Sequence, residues 1–228
     1  DADMRRALEI LRFEVAFHLR APLTWVLLGA YAAVHALTVA GIGINLNDNL
    51  LIHLNSPFLI VRTALILGVF GMLPAIYFVV SGATRDDEFR TTALFLTTPV
   101  GKLEWLAGRF CGGALLAVGA AALGTLGTFV GTHLPGLDAA RIGAHTWAPY
   151  LFSFTLIALP NVLVLSAFFF GVATLSRSVA LTFGVALGGD GTAWFDDLSI
   201  EVVEPPKVVP IRFAGRVVDS SGAPVANA

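Results

Sequence analysis

The chain has 228 residues, 56% of them hydrophobic and 13% charged, with a mean hydropathy of +0.79. Soluble domains carry about 25% charged residues, so this composition excludes an ordinary soluble domain. The net charge of −2 excludes recruitment of nucleic acid by a global field, and the single cysteine, Cys111, excludes an internal disulfide.

Residues 3–20 read as an amphipathic helix. Met4, Leu8, Leu11, Val15 and Leu19 recur at helical spacing, and Arg5, Glu9, Arg12 and Arg20 fall mostly on the other side. A basic amphipathic helix ahead of an apolar stretch suits the headgroup layer of a bilayer. An ordinary solvated helix is the alternative. The chain starts at Asp1 without a visible signal peptide, and it reads as a fragment.

Four stretches then meet the requirement of roughly 20 mostly apolar residues for crossing about 30 Å of hydrocarbon. They are 21–40, 58–80, 110–132 and 150–175. Lipid offers no partners to backbone N–H and C=O groups, so each is expected to be helical. Arg62 is the one charge within them and sits near one end of the second, where it can snorkel. Lys and Arg alternate between the connections. Arg5, Arg6, Arg12 and Arg20 precede the first span, and the 45–57 connection has none. Arg85, Arg90, Lys102 and Arg109 follow the second span, Arg141 alone follows the third, and Arg177 follows the fourth. The positive-inside rule places the N-terminus, the 82–109 segment and Arg177 in the cytoplasm.

The 82–109 segment is the most informative polar part of the chain. Arg85, Asp86, Asp87, Glu88 and Arg90 form a dense charged run around Phe89, and Thr97, Thr98 and Pro99 break the apolar phrase that follows. Lys102 and Glu104 precede Trp105, which suits an interface. The segment reads as a short helix on the membrane, a turn at Thr98-Pro99, and re-entry. It is either a solvated tether or a docking surface for a cytoplasmic partner. The third span pairs Gly108 with Gly112 and Gly127 with Gly131 at four-residue spacing. Such spacing lets helix backbones approach closely in lipid. Packing within one bundle is the favoured reading and a dimer seam the other. In the fourth span Pro160 is expected to kink the helix and Asn161 to face other helices. His35 in the first span is expected to bond a neighbouring helix, since no intramembrane carboxylate makes a proton relay with it.

No catalytic constellation is legible. There is no G-x-x-x-x-G-K-[ST] phosphate loop and no H-E-x-x-H helix. His133 and His145 share a predicted outer loop without a completing ligand pattern. No catalytic residue, metal or cofactor is expected.

After a fifth apolar stretch that stops near Gly188, the chain changes character. Residues 191–203 alternate with period two around Leu198, Ile200 and Val202, 204–210 are Pro-rich, and 211–228 read as a strand and a turn. The expected architecture is mainly α. It is a polytopic transmembrane bundle of four spans and a truncated fifth, with an amphipathic start (1–20), a permease region (21–188) and a short β tail (189–228).

Four features, in order, carry a family resemblance. They are Glu14, Leu19, Arg20 and Pro22 ahead of span one, the charged run Arg85–Arg90, the phrase TTPVGKLEWLAGR at 97–109, and Ser176-Arg177-Ser178 after span four. Over residues 3–188 the chain resembles the membrane subunit of type-2 ABC exporters. That resemblance implies six helices per subunit, pairing as a homodimer or heterodimer, and a separate ATP-binding cassette subunit. The subunit would dock on 84–102, through Arg85, Asp86, Asp87, Glu88, Phe89, Arg90, Thr98, Pro99 and Lys102. It also implies a bacterial inner membrane location. The chain departs from the pattern in its truncated fifth helix and missing sixth. The tail resembles a closing strand of a carbohydrate-binding jelly roll (191–203) and the opening of a carboxypeptidase regulatory-like domain (215–228). A membrane anchor for a larger enzyme, such as a fused zinc aminopeptidase, is a second reading, and a chimera without activity a third.

Overall fold

A computed structural model describes residues 2–42, 52–89, 100–187, 193–195 and 198–200. The described residues are mainly helical. The helices are α1 (Ala2–Arg20), α2 (Pro22–Val39), α3 (Pro57–Gly68), α4 (Met72–Glu88), α5 (Lys102–Gly131), α6 (Ala148–Ser176) and α7 (Val179–Leu187). Three of them, α2, α5 and α6, are each long and apolar enough to cross a membrane. Helices α3 and α4 meet the same test only together, and they are bent by 43° where they join.

Local chemistry sets the boundaries. Asp3 in the first turn of α1 and His18 and Arg20 in its last complement the helix dipole. Pro22 pushes Ala21 to extended backbone (φ −81°, ψ 124°) and so separates α1 from α2. Ser56 caps α3 by accepting from the Leu59 amide, with Pro57 at the first helical position. The second apolar stretch, 58–80, expected to form one helix, is broken at residues 69–71. Pro74 has no N–H for the Phe70 carbonyl, which instead accepts from Leu73 at 3.1 Å. Pro160 acts differently. A π-helical turn, Phe154–Ala158, ends two residues before it and spreads the disturbance over a wider turn without ending α6.

Helix α5 is the hub. It packs against α1, α2, α4 and α6, while α4 also packs along α6. Phe78 and Ala75 of α4 meet Leu28 of α2, Ala117 and Ala120 of α5 and Val162 of α6 in the central core. A second core joins Ile76, Val79 and Val80 to Phe169, Phe170 and Ala173. Outside these cores the long helices present apolar side chains outward: Leu115, Leu126 and Val130 on α5, and Leu151, Leu156, Val164 and Phe168 on α6. Apolar surface this continuous is what a bilayer covers.

The loops at the far end are stapled by Asn55. Its Nδ2 donates to the Gly143 carbonyl at 2.8 Å and its Oδ1 accepts from the Gly143 amide at 2.8 Å. His133 and His145 lie in this region with rings stacked 4.5 Å apart. In the tail, Ala193–Phe195 pairs antiparallel with Leu198–Ile200, Phe195 opposite Leu198. The expected strand and turn in 211–228 lie outside the described residues.

Candidate functional site

Two members of the charged run that follows the second apolar stretch, Arg85 and Asp86, are buried among the helices. Helix α4 continues through it to Glu88, so its residues follow helical geometry. Arg85 and Asp86 thereby turn inward, toward α1 and α5. Their residues are each 7% exposed, Arg109 of α5 is 3% exposed, and Glu14 of α1 is fully buried. Arg85 and Asp86, expected among the docking residues, are thus packed within this chain. A helix that stays regular for about two more turns beyond the apolar stretch must aim some of those side chains at its neighbours.

Four charges meet there. The Glu14 carboxylate pairs with the Arg85 guanidinium. Its Oε1 also lies 2.7 Å from Nη1 of Arg109. Arg109 Nη2 donates to both carboxylate oxygens of Asp86, at 2.7 and 2.6 Å. Two cations and two anions sum to zero, as burial requires. Aromatic rings cover the cations. Arg85 sits 4.1 Å from the Phe17 ring centroid and Arg109 5.3 Å from that of Trp105, so each guanidinium gains cation–π attraction where water is excluded. The junction ties the N-terminal helix to the ends of α4 and α5 that flank residues 90–99.

Glycines make this approach possible. A Cβ on Gly112 would stand 2.6 Å from the Glu14 Cβ, and one on Gly108 would stand 2.7 Å from the Ala7 carbonyl. Farther along α5, Gly127 and Gly131 touch the Ala32 and Ala36 carbonyls of α2. All four glycines of the expected packing motif therefore face helices of the same chain. The other residues of the expected docking segment are placed unevenly. Phe89 is exposed, Asp87 and Glu88 close α4, and Lys102 opens α5. Arg90, Thr98 and Pro99 lie outside the described residues.

Sequence reasoning missed Glu14 and His18 as buried groups. Ala7, Leu11, Glu14 and His18 recur at three- and four-residue spacing, which is the stripe facing α5 and α4. Met4, Leu8 and Leu19, expected on the membrane side with Leu11 and Val15, are exposed and do not pack on the bundle. The His18 ring is fully buried against Tyr77 and Phe78, with Nδ1 donating to the Glu14 carbonyl at 3.0 Å. Burial pushes its pKa below the ordinary 6.5. The Arg85 charge adds to that, and Glu14 opposes it through its carbonyl and its carboxylate. A base with a depressed folded-state pKa binds fewer protons folded than unfolded, so stability falls as pH drops below 6.5. The expected slope from this group is at most about 1.4 kcal/mol per pH unit. Melting temperatures of the detergent-solubilised chain across that range should show it, and His18→Phe should flatten it. An unchanged slope in the variant would assign the acid sensitivity elsewhere.

His35, expected to bond a neighbouring helix, instead donates from Nδ1 to the Tyr31 carbonyl of its own helix at 3.0 Å. Among the described residues no group of three His, Cys, Asp or Glu side chains is placed to hold a metal ion. No protein-family model matches the chain, and no curated protein is similar to it.

Proposed function

We propose that this chain is the permease component of an exporter whose transport is driven by a separate ATP-binding cassette subunit. The observation that carries the reading is the buried four-charge junction. Buried ion pairs are weak contributors to stability and are better suited to fixing register or to switching. This one stands where the two helices flanking 90–99 meet the N-terminal helix. A push on the 84–102 segment would reach α1, α4 and α5 together through ion pairs and would change their packing.

In this reading the bent α3–α4 pair is the second of four spans and α7 the start of a fifth. The N-terminus lies on the cytoplasmic side of a bacterial inner membrane, α1 lies in the headgroup layer, and two permease subunits pair. The tail is an extracytoplasmic type of β segment. The chemistry is mechanical, and no residue of this chain forms or breaks a covalent bond.

The test is association with an ATP-binding cassette subunit, sought in the reading frames neighbouring that of this chain. Asp87→Lys with Glu88→Lys reverses the two acidic residues that follow Asp86 in the sequence and leaves Asp86 in its ion pair. Interface charges set encounter rate and partner choice, so co-purification of the ATPase should fall while insertion of the chain is unchanged. Unaltered association would reduce the segment to a tether and remove this proposal.

A further inference from the structure

The two irregular helices are irregular at facing positions. The α3–α4 break leaves three successive tight turns. Phe70, Gly71 and Met72 donate to Leu67, Gly68 and Val69 at 3.0, 3.1 and 3.2 Å. Across from it, Asn161 follows Pro160 and the π-helical turn of α6, and its Nδ2 makes a long hydrogen bond of 3.4 Å to the Gly68 carbonyl. Between the breaks lies a cavity of about 20 Å³, flanked on its other sides by α2 and α5. That is room for about one water-sized group.

The lining carries polar groups from α2, α5 and α6. His35 is 4% exposed. Its Nδ1 faces a carbonyl, which only accepts, so the ring proton sits on Nδ1. The other nitrogen, Nε2, is then a bare acceptor, and it has no hydrogen-bond partner among the described residues. Thr125 and Thr128 spend their hydroxyl protons on the Ala121 and Gly124 carbonyls, at 3.1 and 3.2 Å, and offer the cavity lone pairs alone. Asn161 Oδ1 adds another acceptor. The Tyr31 and Ser153 hydroxyls also line the cavity and can donate as well as accept, so the lining suits an occupant that donates to His35 Nε2 and can also accept, as a hydroxyl does. No charged side chain lines the cavity, and an ion without a counter-charge at membrane depth is costly. The occupant is therefore neutral. Paired interruptions of apolar helices at corresponding depth are also where membrane transporters gather their polar contacts.

We propose that this cavity is a binding site for one neutral hydroxylic molecule, whose O–H donates to His35 Nε2 while Asn161 and the Gly68 carbonyl hold the two broken helices around it. Water and the hydroxyl end of a small apolar alcohol share this chemistry. The proposal rests on the cavity alone and stands whether or not the chain works with an ATPase.

The experiment uses the full chain, labelled with ¹⁵N-histidine, in lipid nanodiscs. Solid-state NMR follows polarisation transfer to the His35 ring from water protons. A parallel sample in deuterated buffer with 1-butanol follows transfer from the alcohol's C–H protons. His35→Gln identifies the signal by its loss. The expected result is a neutral ring, protonated on Nδ1, that receives transfer, with the transfer lost in Asn161→Leu. Thr128→Val, close in shape to the original residue, is the second variant and is read if Asn161→Leu disturbs the buried His18 signal. It should weaken the transfer. Transfer from water alone makes water the occupant, and transfer from butanol as well makes the site one for hydroxylic solutes. A protonated Nε2, no transfer from either source, or transfer unchanged in the readable variant would overturn the assignment.

Discussion

Glu14→Gln should lower the stability of the solubilised chain by about 3–5 kcal/mol, the usual cost of removing one partner of a buried ion pair. The loss of contact is only part of that cost. Arg85 and Arg109 both lean on this carboxylate, and Asp86 alone cannot balance two buried guanidinium groups. The informative comparison is Glu14→Met combined with Arg85→Met. That pair removes one cation and one anion and leaves Arg109 with Asp86, a neutral and doubly hydrogen-bonded pair. The double variant should therefore be more stable than Glu14→Gln, although it changes more atoms. Replacing a buried ion pair by apolar groups of similar volume is often neutral or better. Thermal unfolding followed by circular dichroism in one detergent would measure both. A double variant less stable than the single one would mean that the junction acts through shape and not through charge balance.

The same junction shows what the sequence makes legible and what it hides. The apolar stretches could be read because lipid imposes one rule on every residue of a span, so composition and length suffice for α2, α5 and α6. The charges at the ends obey no such rule. Glu14 sits between Phe13 and Val15 in a stretch that reads as amphipathic. Whether it faces water or α5 depends on a partner 71 residues away, Arg85, and on the room that Gly112 leaves. Arg85 and Asp86 looked solvated because five charges stand within six residues, yet α4 runs on and turns these two inward. The break in α3–α4 had a signal that went unused. Gly68, Gly71 and Pro74 fall inside one apolar stretch, and Pro at that depth removes a backbone bond. The staple from Asn55 to Gly143 had no signal, because a lone Asn in a loop names no partner.

The α5 glycines supply the sharpest remaining contrast. A Cβ on Gly127 or Gly131 would stand 2.3 or 2.4 Å from the Ala32 or Ala36 carbonyl oxygen of α2, closer than real Cβ atoms come. Backbone cannot swing aside as a side chain can, so even a methyl group there must move a helix. Gly127→Ala and Gly131→Ala should each cost about 1–3 kcal/mol, the range for overpacking. A larger residue such as Leu at either position should prevent α2 from docking. Gly119 is the control on the same helix, with nothing within 4 Å of the position its Cβ would take. Gly119→Ala should be neutral or stabilising by up to about 1 kcal/mol, since alanine favours helix over glycine. Unfolding of the three alanine variants under one condition measures the difference. Equal behaviour at 119, 127 and 131 would mean that the glycines do not set the α2–α5 distance. The seam would then have to be sought between chains and not within one.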